Sequence, residues 1–223
     1  NLADGTLNLA SLDTESIVIQ AGRHIVFADV ADTIVTAGGD IHLEADSPHT
    51  GVAGAGDGVG MLTVGGLTSA GGDITLIGAD FDLTAATINA GAGNVAIGQS
   101  VTAQALGLGT AAGTLLTDAE LDNITLAGTL TIGQVTTKGT DGAGAGASTL
   151  TAGAITVDEL TQGAKNLTLI SGDTINDDDD VGAAVATTGL LTLTAANSIG
   201  NLGGAQGMDT DVGSLAASVA TAG

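Results

Sequence analysis

Four consecutive aspartates, Asp177, Asp178, Asp179 and Asp180, follow a short apolar run in "INDDDDVG". Hard carboxylate oxygens on a turn suit Ca²⁺. A run of like charges is equally the pattern of a solvated loop, and the sequence leaves both readings open. The EF-hand spacing D-x-D-x-D-G is missing, as is the repeated nonapeptide of calcium β-rolls. Calcium is therefore the better metal candidate, at these four residues, with Asp209 and Asp211 as a weaker second place. The histidines are His24, His42 and His49. If Ile25, Phe27, Ile41 and Leu43 face a core, His24 and His42 face out, toward solvent or a transition metal.

Catalysis finds little material. Asp80 and Asp82 share a strand face beside Phe81. Glycosidases need paired carboxylates, and sugars stack on aromatic platforms, but the chain has no Trp or Tyr. Lyases of acidic sugars need cations, and only Arg23, Lys138 and Lys165 are present. There is no G-x-S-x-G nucleophile elbow. "GAGDGVG" lacks the lysine of a phosphate loop. The expectation is a protein without enzyme activity.

Charge narrows the partners. Three Lys+Arg stand against 25 Asp+Glu, a formal charge of −22. Such a surface repels nucleic acid and anionic lipid headgroups. No run is apolar enough to cross a membrane; "VTAQALGLGTAAGTLL" comes nearest and carries Thr, Gly and Gln. The charge suits an extracellular protein. Cysteine is absent, so no disulfide holds the fold. The chain starts at Asn1 with no basic and apolar leader, so we expect a mature product or a piece of something larger.

The elements that must position these groups are short and repetitive. The chain has 37 glycines, one proline and 1% aromatics, so its 43% apolar content is aliphatic. Of the acids, 21 are Asp, a turn former, and 4 are Glu. "TLNLA", "SIVIQ", "TIVTA", "MLTVG", "TLTIG" and "LLTLTA" alternate apolar and polar residues, the pattern of strands with one buried face. Helical periodicity is weak; "TDAELDNI" (117–124) is the best stretch.

One phrase recurs: an Asx residue, then an apolar-x-apolar triplet. It starts at Asp40, Asp73, Asn94, Asn123 and Asn166, with gaps of 33, 21, 29 and 43, and His24 opens a looser copy. A period near 20 residues, with turns too short for helical crossovers, predicts an all-β parallel solenoid, one coil per period, coils ~4.8 Å apart. The five Asx residues would then form a structural ladder between coils, or simply make turns. An antiparallel sandwich is the competing fold, disfavoured by the repeat and the scarcity of hairpin turn pairs. The whole chain, 1–223, reads as a single segment, with Gly-rich insertions near 47–60, 138–148 and 176–188. The first two echo each other, placing Leu62 and Leu150 at similar points of a coil. "NIT" at 123–125 and "NLT" at 166–168 are formal glycosylation sequons.

"ESIVIQAGRHIVFADVADTIVTAGGDIHLEAD" (15–46) and "AGGDITLIGAD" (70–80) resemble the repeats of filamentous haemagglutinin-like exoproteins and other giant bacterial surface adhesins. The likeness covers about 15–135 and, more loosely, 150–200. It implies a right-handed parallel β-helix, export across the outer membrane, and a role in adhesion or biofilm matrix at the cell surface. The family's secretion-domain motif is not recognisable here. The expectation is a segment or subunit of a secreted fibre, stacked end to end on identical copies or further repeats, with a host or matrix surface as its ligand. The rival expectation is a calcium-dependent extracellular binding module.

Overall fold

A computed structural model describes residues 8–11, 14–47, 57–111, 113–139, 144–178, 182–201 and 207–220. The described chain is all-β with long parallel sheets, an arrangement consistent with a β-solenoid. It winds past the same walls in turn. The first wall stacks Asn8–Ser11, Thr33–Thr36, Gly66–Thr68, Thr87–Gly91 and Ile124–Leu126. The second wall is the longest. It stacks Ile17–Gln20, Ile41–Glu44, Ile74–Gly78, Val95–Gln99, Thr129–Ile132, Asn166–Ser171, Val185–Ala195 and Thr210–Val219. Leu160–Thr161 pairs with the start of Val185–Ala195. The third wall begins as Ile25–Val26, Met61–Thr63 and Asp80–Asp82. A separate sheet contains Leu106–Gly109, Ile155–Asp158, Thr174–Asp177 and Ser198–Asn201.

Like stacks on like. Ile41 pairs with Ile74 and Leu43 with Leu76, and those pair in turn with Val95 and Ile97. Their side chains point inward and are almost wholly buried, in one continuous aliphatic cluster that includes Phe81. Each Leu or Ile so buried contributes about 1.5–3 kcal/mol. Period-2 alternation is what puts them there, because successive strand residues face opposite ways.

The Gly-Gly-Asp lead-in divides three tasks among three residues. The first glycine turns the corner at positive φ, +106° at Gly38 and +120° at Gly71. The second lies too close to the coil below for any side chain. A Cβ on Gly72 would sit 2.3 Å from the Gly39 carbonyl oxygen, and one on Gly93 would sit 2.1 Å from that of Gly72. The Asx residue then accepts a hydrogen bond from the coil above: Asp40 Oδ1 takes the Asp73 N–H at 2.9 Å.

The helix-like stretch is a helix, Asp118–Asp122, with a complete capping box between Thr117 and Glu120. Glu120 also accepts the Leu83 N–H at 3.1 Å, so this turn fastens to the coil below.

The insertions need redrawing. Of 47–60, residues 48–56, including His49, lie outside the described residues. The segment expected to interrupt the fold near 176–188 is shorter than that. Asn176 and Asp177 belong to the strand Thr174–Asp177, and Val185–Thr188 begin the strand Val185–Ala195. The 138–148 insertion connects the two strands of an antiparallel hairpin, Gln134–Thr136 with Thr149–Thr151; residues 140–143 lie outside the described residues. The described hairpin does not protrude but lies flat on the outside of the second wall. Leu150 therefore has nothing in common with Leu62, which pairs with Phe81 inside the third wall.

Candidate functional site

The outer face of the second wall carries the polar machinery. Its first feature is the Asx column. Ser16 Oγ accepts the Asp40 N–H at 3.1 Å and Asp40 accepts that of Asp73. Asp73 Oδ1 accepts both the N–H and the side-chain amide of Asn94, at 2.8 and 3.1 Å. Asn94 Oδ1 accepts the Thr129 N–H at 2.9 Å, and Asn166 Oδ1 the Leu190 N–H at 3.0 Å. Strand register places Asn166 over Thr129, so it stands in the same column.

Asn123 stands elsewhere. Its phrase, "NITL", is a first-wall strand whose Ile124 pairs with Ile88, and its side chain donates to the Leu83 carbonyl at 2.8 Å. The second-wall strand of that coil is Thr129–Ile132, where Thr129 fills the Asx position. The looser copy at His24 likewise belongs to the third wall, and "SIVIQ" is the second-wall strand of its coil. Both sequon asparagines have their side chains engaged in these bonds.

Asp73→Ala removes an acceptor that serves two donors. It is expected to lower stability by about 1–2 kcal/mol, while Asp73→Asn retains an acceptor oxygen and most of that. Urea denaturation of both variants checks it; an Asp73→Ala protein as stable as the wild type would mean the column carries no energy.

The second feature is the hairpin cover. Val135 and Leu150 pack on the outward side chains of Ile77 and Ala96. Gly98 makes this contact possible, since a Cβ there would lie 2.6 Å from Val135. Beyond this apolar patch, the wall presents His42 and Glu44 rather than the Thr, Ile and Ala of neighbouring coils. Both lie under the hairpin with side chains only 2% and 3% exposed. Alternation predicts a solvent-facing His42; it does point out of the core, but the hairpin covers it. Glu44 Oε2 lies 3.2 Å from His42 Nε2 and accepts Gln20 Nε2–H at 3.0 Å and the Lys138 N–H at 3.3 Å. Gln20 Nε2 also donates to the Gly139 carbonyl at 2.7 Å. Burial alone would raise the Glu44 carboxyl. Hydrogen bonds from His42, Gln20, the Lys138 N–H and Ser47 outweigh it and hold the group below the ordinary glutamate range. Beside this pair opens a cleft of about 320 Å³, lined by Asp40, His42, Asp73, Thr75, Gln134 and Lys138 among others.

A third node closes the base of the 47–60 insertion. Asp46, at φ 61° and buried, accepts the Ser100 hydroxyl at 2.6 Å and the N–H groups of Gly58 and Asp57 at 2.8 and 3.1 Å. Burial raises its carboxyl, but hydrogen bonding with Ser100, Asp57 and Gly58 brings it below the usual aspartate range. Arg23 reaches Asp57 at 3.3 Å. His24, just before the strand Ile25–Val26, accepts the Met61 N–H at its Nδ1, 3.0 Å away.

The acidic run is split. Asp179 and Asp180 lie outside the described residues. Asp177 is buried, and its carboxylate accepts the Asp209 N–H at 3.1 Å. Asp211 lines a separate groove with Thr161 and Thr187. Among the described residues, no group of three His, Asp or Glu side chains is placed to hold a metal ion. Asp80 and Asp82 each accept a nearby backbone N–H, from Phe81 at 2.9 Å and Thr84 at 3.2 Å. No helix of the described chain is long and apolar enough to cross a membrane.

Sequence reasoning missed Gln20 and Glu44. The signal was present: ionisable and amide groups at outward strand positions otherwise filled by small or aliphatic residues. Comparison with protein-family models, with curated proteins and with solved structures finds no match.

Proposed function

We propose that this chain is a non-enzymatic structural protein, a segment or subunit of a secreted bacterial surface fibre or adhesin, built as a right-handed parallel β-helix. Parallel crossovers are right-handed in about 98% of cases, which supports the hand. Steps of 21 and 24 residues along the Asx column support a coil of just over 20 residues where no insertion intervenes.

One observation carries the reading. The strand Thr210–Val219 pairs on one side with Val185–Ala195. Among the described residues, nothing pairs with its other side. Leu215 and Val219, in line with the buried Leu191 and Ala195, are 53% and 41% exposed. An open parallel edge continuous with the core is the surface on which another coil stacks. In a fibre, that coil comes from further repeats or from an identical copy. Stacking of this kind is head-to-tail, so it does not close on itself.

The test is self-association of the 223-residue chain. Light scattering and negative-stain microscopy over rising concentration should show rods that lengthen along one axis. A monodisperse monomer at every concentration would remove identical copies as the partner. Hydrolysis of a glycan by the purified chain would overturn the non-enzymatic reading.

A further inference from the structure

The hairpin is fastened to the second wall in two unlike zones. Near its base the contact is apolar, Val135 and Leu150 on Ile77 and Ala96. Farther along, at Lys138 and Gly139, the contacts run through two polar side chains of the wall, Glu44 and Gln20. Apolar contact is indifferent to pH. A carboxylate that accepts several hydrogen bonds in a buried place is not, because charge-assisted bonds are about twice as strong as neutral ones. Once protonated, the carboxyl becomes a donor itself, and a buried donor facing it loses its partner.

We propose that the hairpin is an acid-released strap. Its stretch at Lys138 and Gly139 is held down by the Glu44 carboxylate, and lets go when that carboxylate takes a proton, uncovering His42 and Glu44 while the apolar base stays in place. The charged and titratable groups around Glu44 are His42 on its own strand, Lys138 on the strap, and Asp40 and Asp73 along the same cleft. Ile17–Gln20, the neighbouring strand, contributes the uncharged Gln20. The direction follows from the depressed carboxyl. The strap's hold is complete above the ordinary glutamate range, about 4.3, and is lost as pH falls through the lower value of the folded protein. Once Lys138 and Gly139 lift, the neighbouring cross-hairpin bonds weaken as well. These are Thr137 N–H to the Ser148 carbonyl at 2.9 Å and Ser148 N–H to Thr137 Oγ1 at 3.0 Å. A hairpin off its sheet is marginal in water.

Hydrogen exchange read by mass spectrometry on the whole chain tests this. Glu44→Gln preserves shape and one acceptor oxygen but removes the charge. At neutral pH it should lower protection of Thr137, Lys138 and Ser148 by about tenfold, equivalent to 1.4 kcal/mol. Protection of Val95–Gln99 and Ile74–Gly78 should not change. In the wild type, the same strap amides should lose protection, corrected for intrinsic exchange, as pH falls below the ordinary glutamate range. In Glu44→Gln they should show no such step. Undiminished strap protection in the variant, or an acid step that survives in it, would overturn the proposal. Equal loss across the wall strands would also overturn it, making Glu44 a determinant of the whole fold.

Discussion

Gly72→Ala is expected to destabilise the protein by about 3 kcal/mol, the upper end for overpacking. The new Cβ would lie 2.3 Å from the Gly39 carbonyl oxygen and 2.5 Å from its carbon. Both are backbone atoms within a stacked corner, so neither can swing aside as a side-chain tip could. The corner must instead open, and the bonds on either side of it stretch: Asp40 to Asp73, and Asp73 to Asn94. Gly113→Ala is the control. Gly113 has φ +73°, and a methyl group there would have no neighbouring atom within 4 Å, so alanine meets only left-handed backbone strain, about 1 kcal/mol. Urea unfolding of the two variants separates them. Equal losses would show that conformational freedom, and not closeness of the coils, is what these glycines supply.

Leu215→Lys is expected to suppress end-to-end association by about 10–100-fold in critical concentration. A leucine newly buried at a coil–coil junction contributes about 1.5–3 kcal/mol, and each 1.4 kcal/mol is a factor of ten. Because Leu215 is already 53% exposed, the substitution should leave the thermal midpoint of the single chain nearly unchanged. Sedimentation across a concentration series reads the association and calorimetry reads the fold. Filaments forming as readily from the variant would show that this edge is not the junction.

Much of the architecture was legible because register and burial both follow from alternation. "GGDIHLEAD" and "GGDITLIGAD" do stack, Ile41 on Ile74 and Leu43 on Leu76. Matching the phrase by residue type alone failed at Asn123. An Asx before apolar-x-apolar fits any wall of such a fold, because every wall needs a corner residue and two inward aliphatics. A preceding glycine marks most of the column, although Asn166 follows Lys165 and keeps its place without one. Gly39, Gly72, Gly93 and Gly128 all approach the coil below, and Gly128 precedes Thr129, whereas Asp122 precedes Asn123. The hairpin was illegible for a different reason. "GAGAGAS" says only that the chain turns there; its position is set by Val135 and Leu150, which look like any other strand residues until they meet Ile77. The burial of His42 and Glu44 follows from that cover, and no local pattern announces it.

A stack of coils ordinarily has contacts only between neighbours, so its coils can fray from an end one after another. The strap alters that rule. It leaves the chain after Thr129–Ile132, lies against Val95–Gln99 and Ile74–Gly78, and ties to Glu44 and then to Gln20, a residue 119 positions from Gly139. Coils far apart in the stack thereby share one fastening. Under a pull along the axis, the first coils cannot peel away singly; they yield together, as one mechanical unit, or the strap tears off first.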